Sequence, residues 1–450
     1  HSTWTNGNST SHSWQKMKNR VRNSDSAIKA GDLILTEEPF VYVLSSKEKG
    51  FRCDYCLEKG KVLKCSGCQF VHYCGRSCQR DAWNDHKWEC ANLKRVSPKV
   101  IPDAARMLAR IINRLTRGDG HSYRAFYSAT SFRMWKDLMS HYMDLKTDMK
   151  RMDHFTSLCG VLHEFLKDLS LPNVVELMGL YGRMLINSFT ILDIDMNSIG
   201  SGIYLASSIM DHSCEPNAVA TFDGKTINIR ALKDMAYLDW DQIRISYIDL
   251  MKTPYERQTE LLQNYYFLCQ CNRCIDETQI KYVHAAKCLN DKCANPINIP
   301  WKEDYTQISP GNASFSPNAS LATNKDVDVC KHCLERQQGV VHPLNVSHAQ
   351  TLDHAFDALL QVQLWQRACE CANALLPCFR FYYGERHPLL GLLHLKYGKI
   401  LLYMFELQKA LHQFKCAEKI LKMTHGDRHP LYRDQLLPLL RQAMAESNEH

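Results

Sequence analysis

Closely spaced cysteines and one histidine between residues 53 and 90 have the chemistry of soft metal ligands. They form two C-x2-C pairs, a C-x3-C pair and an H-x3-C pair: Cys53, Cys56, Cys65, Cys68, Cys74, Cys78, His86 and Cys90. Eight such ligands suffice for two tetrahedral Zn²⁺ ions with no position left for water, so a structural role is indicated. A segment this short buries little core, so the metal must supply the folding free energy. The i,i+4 spacing of the last two pairs predicts that each pair lies on one face of a short helix.

Two further cysteine sets follow in the second half of the chain. The first is C-x-C-x2-C, made by Cys269, Cys271 and Cys274, and it leaves a tetrahedral zinc one ligand short. The second set consists of two pairs separated by a Ser/Asn/Pro-rich stretch at 307–324: Cys288, Cys293, Cys330 and Cys333. This set predicts a small zinc ribbon with a disordered insert, and the alternative is four free thiols.

The stretch 210–217 reads MDHSCEPN and precedes a β-rich region. Apolar runs at 218–222 and 226–232 flank an Asp-Gly turn, which predicts a hairpin. An alternating segment at 243–249 predicts a further strand that ends on Tyr247. Taken alone, His212 and Cys214 could equally be buried core residues.

The remaining elements must position these side chains. Apolar runs around a Gly-Asp turn predict strands within 27–44, whereas 101–192 and 346–445 carry apolar residues at helical spacing. The hexapeptide GERHPL at 384–389 recurs as GDRHPL at 426–431, a period that predicts stacked helical hairpins of the tetratricopeptide kind. Each glycine can cap one helix while the proline opens the next.

Composition sets broad limits on function. The chain has 450 residues, 45% of them apolar and 23% charged, with a net charge of +7 that permits acidic partners without demanding them. The sequence contains no run of eighteen apolar residues, so we expect no membrane span. The polar N-terminus lacks the apolar core of a signal peptide, so we expect none there. Twenty cysteines, mostly at metal-ligand spacing, indicate a reducing compartment. We therefore expect a cytoplasmic and nuclear protein.

In this order, the motifs resemble those of the SMYD family, the SET- and MYND-domain protein-lysine methyltransferases. HSCxPN followed by SYxD resembles the SET signature, whose two segments form a pseudoknot beside the S-adenosylmethionine and lysine pockets. The resemblance implies an α+β, multidomain fold: a split SET β-fold with an inserted MYND zinc finger, a cysteine-rich post-SET segment and a C-terminal α-helical, tetratricopeptide-like domain. The expected boundaries are 1–20 disordered, 21–50 first SET segment, 51–92 MYND finger, 93–180 helical insertion, 181–253 core SET, 254–280 post-SET, 281–345 zinc ribbon and 346–450 helical domain.

The resemblance also implies how the metal ligands are shared. The MYND sites interleave, so the first ion takes Cys53, Cys56, Cys74 and Cys78. The second ion takes Cys65, Cys68, His86 and Cys90. Cys214 supplies the fourth thiolate to Cys269, Cys271 and Cys274. With the ribbon set, about three to four Zn²⁺ are expected per chain.

Cofactor and substrate residues follow from the same resemblance. S-adenosylmethionine is expected to contact Asn187, Asp211, His212, Tyr247, Phe267 and His141. A surface or core role is the alternative for His141. Tyr247 is the expected catalytic residue, because its phenol can hydrogen-bond the lysine amine. Tyr204 and Tyr265 are further candidates for an aromatic channel whose apolar walls lower the lysine pKa.

The implied function is methyl transfer to lysine side chains of histone or non-histone proteins, with a role in transcriptional or chromatin regulation. Two departures favour an alternative, a catalytically impaired zinc-dependent interaction scaffold. Residues 18–27 lack the family's glycine turn, and Asp211 replaces an asparagine, which predicts a buried carboxylate in need of a counter-charge. The finger could bind proline-containing peptides or only brace its neighbours. Nucleic acid is not expected as the main partner, and we expect a monomer without membrane contact.

Overall fold

The computed structural model describes residues 20–21, 27–167, 169–290, 292–299 and 324–448. The expected disordered N-terminus, most of the glycine-free stretch at 18–27 and most of the insert at 307–324 lie outside the described residues. Within the described ranges, no helix combines the length and apolar character needed to cross a bilayer.

Thirteen short strands are found in the described chain. They are β1 Arg20–Val21, β2 Leu33–Glu37, β3 Val41–Leu44, β4 Leu63–Lys64, β5 His72–Tyr73, β6 Ala125–Phe126, β7 Phe132–Arg133, β8 Ser188–Leu192, β9 Ser198–Ile203, β10 Asp211–His212, β11 Ala218–Asp223, β12 Thr226–Ala231 and β13 Arg244–Ile245.

The strands form several small sheets rather than one large one. One sheet has the order β1-β2-β12-β11 and a second has the order β3-β9-β8. The strands β2 and β3, both predicted within 27–44, therefore join different sheets, although only a few residues separate them. The predicted hairpin is confirmed as β11–β12, with Gly224 at φ +57° in its turn. The strand predicted at 243–249 is limited to β13.

The α-helices of the described residues are α1 Arg76–Val96, α2 Asp103–Arg117, α3 Tyr142–Thr147, α4 Met149–Phe165, α5 Val174–Asn187, α6 Pro254–Tyr265, α7 Asn272–Ile275, α8 Glu277–Val283, α9 Asn324–Gln337, α10 Val346–Gln361, α11 Trp365–Tyr383, α12 Pro388–Tyr403, α13 Leu407–Thr424 and α14 Leu437–Asn448. The region 101–192 is mainly helical, as predicted, but it also holds the β6–β7 hairpin and β8.

Helices α10 to α14 form the predicted stack of hairpins around a core of their own. Gly384, at φ +83°, ends α11, and Pro388 is the first residue of α12. In the second copy Gly426 has φ +85° and follows α13, and Pro430 precedes a turn of π-helix at Leu431–Leu436. A second, larger core joins the sheets, the finger and helices α1 to α5.

Candidate active site and zinc centres

Three groups of soft ligands come together in the described part of the chain, each with its donor atoms within 4.8 Å of one another. Two lie in the finger, with the interleaved membership that the resemblance implies, and the third unites Cys214 with the C-x-C-x2-C segment. The groups are Cys53, Cys56, Cys74 and Cys78; Cys65, Cys68, His86 and Cys90; and Cys214, Cys269, Cys271 and Cys274. Four thiolates, or three and an imidazole, fit a structural Zn²⁺.

The local backbone of one ligand pair differs from the prediction. His86 and Cys90 lie one turn apart on α1, as their spacing predicted. Cys74, however, lies between β5 and the start of α1 at Arg76, so only Cys78 of that pair is helical. The prediction of a shared helix face is therefore wrong for Cys74 and Cys78, whose sulfurs nevertheless lie 3.2 Å apart.

The four cysteines of the predicted zinc ribbon do not form a comparable group among the described residues. Cys330 and Cys333 lie on helix α9, where Cys330 packs against the helical core and Cys333 is exposed. Cys288 and Cys293 lie in the segment that follows α8. The described residues thus form three ligand groups that fit Zn²⁺, and the fourth zinc site stays a prediction.

A buried carboxylate holds the second centre of the finger against the rest of the molecule. Glu89, which is 2% exposed, lies with Oε1 3.2 Å from His86 Nδ1. The same side chain accepts from the guanidinium groups of Arg106 at 2.8 Å and Arg110 at 2.6 Å, both on α2. Such a partner fixes the orientation of a ligating imidazole. Sequence reasoning missed Glu89, because its partners are distant in sequence.

The two SET motifs meet through a parallel strand pair, β10 with β13, in which Asp211 lies opposite Arg244. This pairing places Tyr247 beside Met210. The Tyr247 hydroxyl donates to the Met210 carbonyl at 2.5 Å, and the Tyr247 N–H donates to His212 Nδ1 at 3.0 Å. The ring of Tyr265 lies 4.9 Å from that of Tyr247. Tyr247, the predicted catalytic residue, is therefore adjacent to Tyr265, a candidate for the aromatic channel.

A cleft of about 460 Å³ contains both tyrosines. Asn187 at the end of α5 and Phe189 of β8 contribute to its lining on the SET side. Tyr383, the last residue of α11, and His387, from the GERHPL copy, contribute to its lining from the helical domain. The helical domain thus walls the cleft, as the resemblance implied. Phe189 was not among the residues predicted from the sequence.

The predicted cofactor residues Asn187 and His141 lie close together because α5 and the segment before α3 approach tightly. A Cβ on Gly182 would lie 2.2 Å from the Ser140 carbonyl oxygen, so only glycine permits this contact. Asn187 Nδ2 donates to Met139 O at 2.9 Å and to Arg183 O at 2.8 Å. These two bonds fix the orientation of the amide. His141 Nδ1 lies 2.9 Å from Asp144 Oδ2.

The remaining predicted residues cluster around His212. Its ring lies 5.4 Å from Tyr247 and 6.0 Å from Phe267, and burial lowers its pKa to about 4, which keeps the imidazole neutral. Asp211 is 77% exposed and lies 3.9 Å from Arg244 Nη2, so the expectation of a buried carboxylate is wrong. Of the predicted cofactor residues, Asn187 and Tyr247 line the cleft, whereas Asp211, His212, Phe267 and His141 are not among its lining residues.

Two other residues support the site from behind. Tyr204, a candidate for the channel, is fully buried and donates to Lys225 O at 2.6 Å, so it supports the Phe189 ring instead. Glu37, from β2, accepts from the N–H groups of Ala206 at 2.9 Å and Ser207 at 2.8 Å, just before the MDHSC stretch. No local sequence signal distinguishes Glu37, because its partners lie far along the chain.

A split β-fold, a zinc finger inserted into it, a zinc-linked tail and a helical wall over an aromatic cleft define a SET- and MYND-domain protein. Residues 53–90 match the MYND finger family model. The chain is 29% identical to the histone-lysine N-methyltransferase SMYD3 of Homo sapiens over 92% of each chain. It is 28% identical to the N-lysine methyltransferase SMYD2 of Homo sapiens over 89% of this chain and 90% of that one. It is also 26% identical to the histone-lysine N-methyltransferase ASHR1 of Arabidopsis thaliana over 93% of this chain. Over about nine-tenths of its length, the chain is thus similar to lysine methyltransferases of the SMYD family.

Proposed function

We propose that this protein transfers a methyl group from S-adenosylmethionine to the side-chain amine of lysine in other proteins. The relatives that it matches over about nine-tenths of its length are named as lysine methyltransferases. The scaffold alternative is not favoured by these comparisons. The residues of the cleft support the same conclusion independently.

The observation that carries the proposal is the orientation of Tyr247. Because its O–H donates to Met210 O, the lone pairs of the phenol oxygen stay available to accept an amine N–H. Its backbone is fixed by His212 and its ring by Tyr265. A lysine amine that donates to this oxygen has its own lone pair directed away from it, which is the orientation effect that displacement requires.

The channel must also deliver the amine uncharged. Burial raises the pKa of Tyr247 above its usual range and that of Tyr265 to about 12, so both phenols are neutral at physiological pH. Aromatic walls disfavour the ammonium form, since they offer it no full counter-charge. The two carboxylates of the cleft lining are Asp249 and Glu260, and Glu260 is paired with Lys252 at 2.6 Å. Asp249 accepts from the Tyr383 hydroxyl at 2.7 Å. Because water can carry the released proton away, we assign no general base.

S-adenosylmethionine would supply the activated methyl group. We propose that Asn187 accepts from its ammonium through Oδ1, and that Asp211 offers a second, charged acceptor. The ring of Phe267 is available for stacking beside His212. His141 would close the site from the segment before α3. A carboxylate at 211 adds attraction for the ammonium, and because it is open to solvent it carries no large desolvation cost.

The substrate is proposed to be a histone or non-histone protein segment with a basic residue near the target lysine. Once Lys252 and Glu260 neutralise each other, Asp249 is the unbalanced charge of the cleft lining. Binding of proline-containing peptides to the finger, a monomeric state, and residence in cytoplasm and nucleus with a role in chromatin regulation are further proposals from the family resemblance.

Two measurements test the proposed function. Calorimetry of the purified protein with S-adenosylmethionine should show one site per chain. Labelled methyl groups should then pass to core histones or lysine peptides and be recovered as methyl-lysine. The matched control is a peptide in which arginine replaces the lysine. The absence of any binding at the highest attainable cofactor concentration would refute the proposal.

A further inference from the structure

Two arginines beside the third zinc centre lack an acidic partner in the described part of the chain. Arg257, on α6, is 2% exposed, and Arg273, on α7, is half-buried. The ion pairs found within the described residues include neither guanidinium. Buried charges are ordinarily paired, because an isolated one loses its hydration without compensation.

The contacts of both guanidinium groups lead to the thiol cluster instead. Arg257 Nη2 donates to Cys274 Sγ at 3.7 Å and to Arg273 O at 3.4 Å, while Nη1 donates to Lys252 O at 2.7 Å. Arg257 Nε is buried and has no hydrogen-bond partner among the described groups. Arg273 Nη1 donates to Cys214 O at 3.0 Å. These donors therefore face a ligand sulfur and the backbone of two ligand segments.

The charge of the zinc complex accounts for this arrangement. Four thiolates around one Zn²⁺ carry a net charge of 2−, and two guanidinium ions supply 2+. Cys214, Cys269 and Cys274 are buried, so solvent does not screen that charge. In the first centre of the finger, by contrast, Cys74 is exposed to water. The second centre has three thiolates, which leaves a smaller charge, and Arg106 and Arg110 are already near it.

We propose that Arg257 and Arg273 are the counter-cations of the third zinc centre, and that their charge holds the zinc-linked tail in place. Tyr265 is the last residue of α6, and Phe267 lies two residues before Cys269. Loss of the charge would therefore loosen the two aromatic residues that the tail carries. This last consequence rests on the proposed function, whereas the charge compensation does not.

Zinc retention tests the proposal on the full-length protein without any methyl transfer. The variants are Arg257→Gln, Arg257→Lys, Arg273→Gln and Arg273→Lys, measured by metal analysis and by the rate of zinc release to a chromophoric chelator. Each glutamine variant should release one of its three zinc ions about 10- to 100-fold faster than the unmodified protein, as is typical when a group next to a metal ligand is lost. Each lysine variant should stay within about threefold, because it keeps the charge.

The two finger sites in the same molecule serve as an internal reference. Arg230→Gln is the matched control: Arg230 lies on β12, and its Nη1 donates to Gly31 O at 2.8 Å, away from all thiols. Cobalt substitution adds a spectroscopic readout, since the thiolate-to-metal bands of the third site should weaken in the glutamine variants alone. Equal release rates for glutamine variants and the unmodified protein, or equal rates for lysine and glutamine variants, would overturn the proposal. If Arg257→Gln does not fold, the Arg273→Gln and Arg273→Lys variants test the proposal by the same comparison, because Arg273 is only half-buried.

Discussion

The N–H of Tyr247 donates to Nδ1 of His212 at 3.0 Å, and this bond connects the candidate catalytic tyrosine with a zinc centre. Because Nδ1 accepts, the proton of the neutral imidazole is on Nε2, which lies 3.2 Å from Cys214 Sγ. One ring thus joins a metal ligand to the segment that carries the reactive phenol. The HSC motif therefore has a structural role in addition to the cofactor contact that its sequence implied.

Replacing His212 tests this connection. His212→Ala removes the acceptor of the Tyr247 N–H, and an unsatisfied buried donor costs about 1–3 kcal/mol. We expect unfolding in denaturant at lower concentration and methyl transfer reduced by more than about tenfold, since Tyr247 loses its fixed position. His121→Ala, at another site in the chain, is the control. Unchanged activity and stability of His212→Ala would show that the hydrogen bond from Tyr247 to His212 contributes to neither.

Tyr247→Phe tests the role of the phenol itself. The substitution keeps the ring beside Tyr265 and removes only the oxygen that can accept the amine N–H. We expect kcat to fall by about 100-fold or more, in the range for loss of an oriented transition-state contact, while S-adenosylmethionine binding changes little. Tyr237→Phe is the control, because Tyr237 is exposed outside the cleft. Normal turnover by Tyr247→Phe would refute the assigned role.

The number of bound zinc ions tests whether the predicted ribbon binds metal in addition to the three ligand groups of the structure. Metal analysis of the purified protein should give three zinc ions per chain, one for each ligand group that the described residues form. Cys288→Ser should leave this value at three, whereas Cys269→Ser should lower it to two. Four zinc ions per chain in the unmodified protein, falling to three in Cys288→Ser, would support the predicted zinc ribbon.

The buried carboxylate of Glu89 should be essential for the stability of the fold. Glu89→Gln keeps the shape of the side chain but leaves Arg110 without its buried counter-charge, whereas Arg106 keeps only its pair with Asp54 at 3.0 Å. Removal of one partner of a buried ion pair typically costs about 3–5 kcal/mol. The free energy of unfolding from denaturant titration measures the loss. Glu164→Gln is the comparison, because its pair with Lys99 is exposed and should contribute at most about 1 kcal/mol. A similar loss of unfolding free energy in the two variants would contradict the proposed stabilising role of Glu89.

Asp249→Asn tests the charge of the cleft. In the unmodified protein, Asp249 Oδ1 accepts from the Tyr383 hydroxyl at 2.7 Å and from the Met251 N–H at 3.0 Å. The Oδ1 of an asparagine can still accept both hydrogen bonds. Only the negative charge is lost. We expect KM to rise about tenfold for lysine peptides with a basic neighbour and to change little for peptides with neutral neighbours, because one charge pair is worth about 1 kcal/mol or more near a protein surface. An equal change for both peptides would exclude charge selection by Asp249.

The elements that could be predicted from the sequence are those with local signals. The finger ligands, the β11–β12 hairpin and the helical repeat each follow from spacing, turn residues or periodicity within a few dozen residues. The failures come from contacts between distant segments. Strands β2 and β3 diverge to different sheets because their partners are β12 and β9, which are encoded more than 150 residues later. Cys330 packs against the helical core with α9, a contact that its C-x2-C spacing with Cys333 does not indicate.

By itself, the sequence determined which residues can bind zinc and in what order the family's motifs occur, because ligand chemistry and short-range spacing are local properties. Only the tertiary structure decided that β10 runs parallel to β13, that Asp211 is open to solvent and that Tyr383 from the helical domain faces the same cleft as Tyr247. The buried charges at Glu89 and Arg257 and the half-buried charge at Arg273 were likewise not predictable from the sequence. A charge inside a protein is stable only with its partners, and folding brings those partners from other parts of the chain.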